Sequence, residues 1–402
     1  MPRSPLRRLL FENLVFNLAL LLGLSQAALW HWIQVVGRAA EPPGLLASSG
    51  LAAALVLANA LAVPRLRRAR REGGLEGRIA RAYMGFGIAT LLVASAVLLS
   101  WLVLLLGAGL LGALGASPSA GFTVFRLGSV ALVGLVALSV VGGFTWGQAR
   151  IERSRIRVRV PELAPQLEGL RVVQITDLHI GNHLDGQRLS RMVECTNALD
   201  PDVLVLTGDL FDFDPQPVEE GVRRLAALRA RYGVYAVLGN HDHYVGADLV
   251  ADAIARLAPN IRLLRNEIAK LPVAAPLYLA GADDPGRDWS ARGLALPGLK
   301  ALAEARSDDG PTLLLVHRPE AFPQAAELGF PLVICGHTHG GQLALPVARG
   351  RFNLASLVTR FTRGVYRLNG STLYVNRGLG VGGPALRIHC AREIATLELV
   401  GA

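Results

Sequence analysis

Four stretches of the chain, residues 13–37, 42–64, 82–125 and 127–149, contain no charged residue. From about residue 168 the pattern changes to short apolar runs that each end in polar residues. About 20 apolar residues in a helix cross the hydrocarbon of a bilayer, and each uncharged stretch is long enough. The pattern predicts spans near 14–35, 44–63, 84–113 and 127–147, with the tail GALGASPSAGF of the third stretch forming a loop. Residues 1–150 are thus expected to form an all-α transmembrane domain of four helices. Residues 151–167 follow as a basic linker, and 168–402 as a second domain.

Composition agrees with a membrane protein: 51% of residues are hydrophobic, 18% are charged and mean hydropathy is +0.38. The net charge of +10 could suggest nucleic acid, so its distribution matters. Residues 1–150 hold 13 basic and 4 acidic side chains, whereas residues 151–402 hold 28 and 27. The second domain is electrically balanced, and no nucleic-acid partner is expected for it. Arg3, Arg7 and Arg8 precede the first span, seven arginines from Arg65 to Arg81 join the second to the third, and Arg150 to Arg159 follow the fourth. The other two connections carry only Arg38 and Arg126. Positive-inside bias then puts both termini and the second domain in the cytoplasm of a multi-pass cell-membrane protein. One span failing to cross would make that domain extracytoplasmic. Trp30 and Trp32 are expected at the outer interface of the first span. Arg7-Arg8 could also open an export signal, but no small-residue cleavage site follows, so an uncleaved anchor is expected. Cys195, Cys335 and Cys390 show no pairing pattern and fit a reducing compartment. The apolar stretches contain no Asp, Glu, Lys or Arg, which argues against a proton path or transporter.

In the second domain, LRVVQITDLH, DVLVLTGDLFD, GVYAVLGNHDH, PTLLLVHRPE and PLVICGHTHGG each read as a strand that delivers polar residues at its C-terminal end. Helix-like segments 187–199 and 217–231 separate the first three, which implies α/β layering. Ligands bind at that edge of open α/β sheets. Each motif alone is weak, since a lone DxH or GNHD is an ordinary turn. Five together bring carboxylates, an amide and imidazoles to one rim.

The ordered series D-x-H, GDxxD, GNHD, a lone His after a strand and GHTH resembles the calcineurin-like metallophosphoesterase superfamily over about residues 168–400. AGADDP, GHTHGGQ and YVNRGLG are similar to its bacterial YkuE/YaeI-like branch. The four spans are similar to transmembrane metallophosphoesterases. The resemblance implies a sandwich of two mixed β-sheets flanked by helices, and two divalent metal ions, with Mn, Fe or Zn all suited to the donors. It implies that Asp177, His179, Asp209 and His339 hold one ion and Asp209, Asn240, His317 and His337 the other, Asp209 bridging. A metal-bridged hydroxide then attacks phosphorus in line. His241 is implied to stabilise the transition state or protonate the leaving oxygen, with Asp212 orienting it. For Asp242, backbone capping and support of the ligands remain equal readings. His183, His243, Asp283 and Asp284 are expected to be ordinary loop residues, and Gly340 and Gly341 to let backbone approach the site. Arg318 is expected either to contact phosphate or to lie on the surface.

The expected activity is hydrolysis of a phosphomonoester, phosphodiester or pyrophosphate bond. The phosphorylated substrate is expected to be lipid-linked or an envelope precursor, because the basic segment RIERSRIRVRV would keep the site near anionic headgroups of the bilayer. A membrane scaffold or sensor with a metal-binding but non-catalytic domain is the alternative, and the intact ligand series argues against it. A nuclease is disfavoured by the balanced charge.

Overall fold

The computed structural model describes residues 14–37, 45–72, 74–115, 117–181, 183–286, 296 and 298–401. Arg3, Arg7, Arg8 and Arg38, used above for orientation, lie outside them. Contacts divide the chain into residues 1–142 and 143–402.

The first unit contains the helices α1 (Leu14–Gly37), α2 (Leu45–Glu72), α3 (Gly74–Ala113) and α4 (Pro118–Phe144). Among the described residues, three stretches are long and apolar enough to cross a bilayer: Asn17–Gly37, Ile79–Val103 and Gly121–Ala149. Over the second expected span, the helix α2 is present and its described apolar part is Ser49–Arg65. Helix geometry does not require apolar side chains, so α2 continues through Pro64 into the arginine-rich segment and stops at Glu72. Helix α4 also starts earlier than expected, because Pro118 suits a first helical turn.

Polar groups join these helices. Asn59, only 2% exposed, donates to Gln26 Oε1 at 2.9 Å and accepts from the Tyr83 hydroxyl, tying α2 to α1 and α3. Where water is absent, such bonds hold helices together. Trp32 donates its indole N–H to Ser129 on α4 at 3.3 Å.

The second unit is built on twelve strands: β1 (Ile151–Val160), β2 (Arg171–Ile175), β3 (Val203–Thr207), β4 (Val234–Val237), β5 (Ile261–Leu263), β6 (Glu267–Lys270), β7 (Tyr278–Gly281), β8 (Thr312–Leu315), β9 (Leu332–Cys335), β10 (Gly364–Leu368), β11 (Ser371–Val375) and β12 (Arg392–Gly401). One mixed sheet runs β1-β12-β2-β3-β4-β5, the other β10-β11-β9-β8-β7-β6. This is the α/β sandwich of two mixed sheets that the motifs implied. The middle layer is aliphatic, with Val172, Val203 and Val205 of one sheet facing Leu313, Leu315 and Ile334 of the other. Burying each such side chain contributes about 1.5–3 kcal/mol. Helices α5 (Gly186–Asn197) and α6 (Val218–Leu225) cover the outer face of the first sheet, burying Leu189, Val193, Val222 and Leu225. Strands β2, β3 and β4 are mutually parallel, as are β8 and β9, so within each sheet these strands end on a common edge.

The segment expected as a basic linker forms strand β1 along residues 151–160, paired in parallel with β12. Its period of two explains why. Ser154, Ile156, Val158 and Val160 turn inward while Arg153, Arg155, Arg157 and Arg159 face water. Arginines on an exposed sheet edge also block edge-to-edge pairing with other chains.

Glu393 at the start of β12 fastens this edge. Its buried carboxylate accepts from Arg377 at 2.9 Å, from the Tyr374 hydroxyl at 2.9 Å and from Ser154 on β1. Burial pushes the Glu393 carboxyl up, but the Arg377 hydrogen bond and charge outweigh it and hold the group below its ordinary value of 4.5. A depressed carboxyl stabilises the fold above the unfolded value, and this contribution fades as pH falls through the folded one. Glu393→Ala leaves the buried Arg377 with the half-exposed Glu152 as its remaining carboxylate partner. We expect a loss of about 3–5 kcal/mol, read as a lowered unfolding midpoint at pH 7 that converges toward wild type in acid.

Candidate metal centre

Each of five strands ends in a residue whose side chain can bind a cation. Asp177 and His179 follow β2, Asp209 follows β3, Asn240 follows β4, His317 follows β8, and His337 and His339 follow β9. The chain turns sharply at these ends: Asp177, His179, Asp209, His337 and His339 all have φ between 48° and 73°. Non-glycine residues adopt that region rarely and at a cost. Here it redirects each side chain from the strand axis toward one point.

Tight backbone contacts hold these turns. The carboxylate of Asp177 accepts the His337 backbone N–H at 3.0 Å on both oxygens, and Asp209 Oδ1 accepts that of His241 at 2.8 Å. A Cβ on Gly239 would lie 2.2 Å from Asp209 Oδ1, and one on Gly336 would lie 2.2 Å from Asp177 Oδ2. Only glycine admits such an approach.

The donors form two neighbouring groups. In the first, His179 Nε2 lies 3.0 Å from His339 Nε2, and His339 Nε2 lies 3.5 Å from Asp177 Oδ1. In the second, His337 Nδ1 lies 3.1 Å from His317 Nε2, which is 3.2 Å from Asp209 Oδ2. Asp209 Oδ2 is also 3.6 Å from His179 Nε2, so this carboxylate stands between the groups. The two histidines of GHTH fall into different groups, His339 in the first and His337 in the second. Asn240 is fully buried beside them, and neither atom of its amide finds a hydrogen-bond partner, nor does the buried His339 Nδ1.

That donor set fits divalent cations. Two carboxylates, four imidazoles and an orphaned amide converge in a buried volume, and two pairs of imidazole nitrogens face each other, an arrangement that hydrogen bonding alone does not satisfy. The electrostatics agree. Burial pushes Asp209 up, but the charges of His317 and His241 outweigh it and hold the carboxylate well below its usual range. Burial lowers His317, but Asp209 raises it to about 10. For Asp177 burial dominates, and its carboxyl is raised.

Other groups orient the ligand rings. His317 Nδ1 lies 2.8 Å from the Thr207 carbonyl, fixing that nitrogen as the donor. Asp212 Oδ1 lies 3.2 Å from Nδ1 of both His179 and His241, and the Asp212 carbonyl lies 3.0 Å from His241 Nδ1. The contact with His179 was not evident from sequence, because nothing in GDLFD marks its last residue as a partner for two imidazoles. Asp242 resolves as a backbone cap, accepting from Gly239 and Phe211 at 2.8 and 3.0 Å. Arg318 is neither at the surface nor free for phosphate: buried, it makes a two-pronged pair with Asp284 at 2.7 and 3.0 Å. Asp283 takes Arg265 and His243, and His183 lies 3.2 Å from the Gly383 carbonyl. Gly340 and Gly341 do permit a close approach, but to Arg377, Cys390 and Asn353 behind the ligands. Phe213 and Tyr244, exposed aromatics that stack on each other and both lie against His241, were also missed. The three cysteines are free, Cys335 and Cys390 being buried.

Residues 170–341 match the family model for calcineurin-like phosphoesterases, and the chain carries a calcineurin-like metallophosphoesterase domain. An uncharacterised metallophosphoesterase of Campylobacter jejuni is 32% identical over 62% of this chain and 63% of its own length. The transmembrane protein with metallophosphoesterase domain of Danio rerio is 34% identical over 61% of this chain and 56% of its own. The uncharacterised metallophosphoesterase YkuE of Bacillus subtilis is 28% identical over 66% of this chain and 93% of its own. The chain thus spans less than two thirds of the first two relatives.

Gly239→Ala should push the Asp209 carboxylate out of place without altering any donor. We expect Mn²⁺ affinity, measured by calorimetry on the full chain, to fall by about 10–100-fold, with the fold retained by circular dichroism.

Proposed function

We propose that the protein is a membrane-anchored, dinuclear metal-dependent phosphohydrolase acting on a phosphoester or pyrophosphate bond of a lipid-linked substrate. The observation that carries this reading is Asp209 Oδ2, 3.6 Å from His179 Nε2 and 3.2 Å from His317 Nε2, a single carboxylate placed to serve two cations. Asp177, His179, Asp209 and His339 would hold one divalent ion, and Asp209, Asn240, His317 and His337 the second. Bound there, two such ions supply charge to the phosphoryl oxygens and lower the pKa of water.

The remaining chemistry falls to the chain. His241 is raised above its ordinary value, since burial, which lowers it, is outweighed by the charge of Asp209 and the Asp212 carboxylate. A raised imidazole suits a proton donor to the leaving oxygen. Asp212 and its carbonyl both face Nδ1, which fixes that nitrogen as the donor and leaves Nε2 for the substrate. Asp212 also faces His179 Nδ1, so one carboxylate orients both an acid and a ligand.

Sidedness follows from two spans only. The arginines from Arg65 to Arg81 precede the stretch Ile79–Val103 or sit at its start, and those from Arg150 to Arg159 follow Gly121–Ala149. Two crossings return the chain to the same side, whatever α2 does. Positive-inside bias makes that side cytoplasmic. An alkaline phosphatase fused after Ala402 should therefore stay inactive, and activity would place the domain outside.

The activity test uses bis-p-nitrophenyl phosphate and p-nitrophenyl phosphate with the full chain in detergent and added Mn²⁺. Wild type should hydrolyse at least one ester, chelation should abolish turnover, and Asp209→Asn should reduce it by about 10²–10³-fold, the scale expected when electrostatic stabilisation is removed. A folded, metal-loaded wild type that hydrolyses neither these esters nor a lipid pyrophosphate would favour a metal-binding scaffold.

A further inference from the structure

The segment that follows the ligand His339 carries an apolar surface that the proposed chemistry does not use. Residues 344–353 form a tight hairpin: Ala344 bridges Asn353, Leu345 N–H donates to the Phe352 carbonyl at 2.8 Å, and Leu354 N–H donates to the Leu343 carbonyl at 3.2 Å. Asn353 closes the turn from within, donating to the Gly350 and Arg351 carbonyls at 2.9 and 3.1 Å. The hairpin and the helical turn Leu354–Leu357 display Leu345, Val347, Phe352, Leu354 and Leu357 to the outside, each 51–74% exposed. Among the described residues from 143 onward, these are five of nine exposed large hydrophobic side chains, gathered within thirteen positions. Apolar surface concentrated in this way marks an interaction site.

Charge identifies the partner. No Asp or Glu lies between Glu327 and Glu393, while Arg349, Arg351, Arg360, Arg363 and Arg367 accompany the apolar residues. Arg351 and Arg360 are exposed beside Tyr366 and Phe361. Leucine and phenylalanine with flanking arginines is the composition of a segment that rests in the headgroup region of an anionic bilayer. The chain supplies its own bilayer through the spans that precede β1. The hairpin is also built onto the site, since Asn353 packs against Gly341, two residues from His339, and Leu343 bridges Ile388.

We propose that the hairpin of residues 344–357 inserts its apolar side chains into an anionic lipid surface, with Arg351 and Arg360 on the headgroup phosphates, and so holds the metal centre at the lipid interface. It deepens the lipid-linked reading above and gives it a physical route, by which a phosphate reaches the site without its lipid chain leaving the bilayer. Contact with lipid does not require turnover, so the test is independent of whether that substrate class is right.

The test uses the full chain with Cys195→Ser, which removes the accessible thiol, reconstituted in nanodiscs of phosphatidylcholine and phosphatidylglycerol. An environment-sensitive NBD label is placed at Leu357→Cys or, as a control, at Asp200→Cys. Asp200 lies before β3, at the opposite end of that strand from Asp209, and is almost fully exposed. Doxyl-labelled lipids should quench the label at 357 several-fold more than that at 200, and Arg351→Glu with Arg360→Glu should bring the two together. Equal quenching at both positions overturns the proposal. So does a label at 357 that is shielded from aqueous iodide yet not quenched by lipid, which would mean that protein covers the hairpin. Unchanged quenching in the charge-reversed variant overturns the role given to the arginines.

Discussion

Asp209 is the constraint on which the second unit depends: a carboxylate 2% exposed, within 3.6 Å of two imidazoles, with the His241 backbone N–H on its other oxygen. An isolated charge at that depth would cost many kcal/mol, and it persists only because cationic or dipolar partners surround it. The partners come from both sheets, since His179 follows β2 and His317 follows β8. The sandwich must therefore place two sheet edges in register to within a hydrogen-bond length. Gln174 helps by bridging the sheets, donating to Thr207 Oγ1 at 2.7 Å and to the Cys335 carbonyl at 2.9 Å.

The same constraint accounts for the backbone. Five ligands take φ values that ordinary residues avoid, each at about 1–3 kcal/mol. Such strain survives where the surroundings leave no alternative. The aliphatic layer between the sheets fixes the strand ends, and Gly239 and Gly336 bring neighbouring backbone into contact with the two carboxylates. Relaxing any one turn would swing its donor away and expose a buried charge to mismatch. Strain and electrostatics thus hold each other in place.

Much of this was legible in the chain because the chemistry sits at strand ends. In VVQITDLH or LVICGHTH the apolar run and the polar residue after it give strand and ligand together. Residues that act through a backbone contact or through burial left no such mark. Asp212 gives no sign that it serves two imidazoles, and Arg318 in VHRPE looks the same whether it faces solvent or Asp284. The arginine-rich segment 151–160 concealed its strand for a related reason, since its charge drew attention from the alternation of Ile, Val and Ser beneath it.

The apolar hairpin and the site share one segment of chain. The loop that turns His337 and His339 toward the other donors continues without a break into residues 344–357, and Asn353 returns to close against Gly341. A domain that needed only to hold cations could finish this loop in a short polar turn, as loops of soluble proteins do. Instead the chain retains five exposed hydrophobic side chains, in a stretch without an acidic residue, next to its most strained turns. Such a surface is unfavourable in water and becomes favourable only when covered. The Asn353–Gly341 contact thus ties the apolar hairpin directly to the turn that carries His339, so the surface and the ligand are built on one continuous piece of backbone.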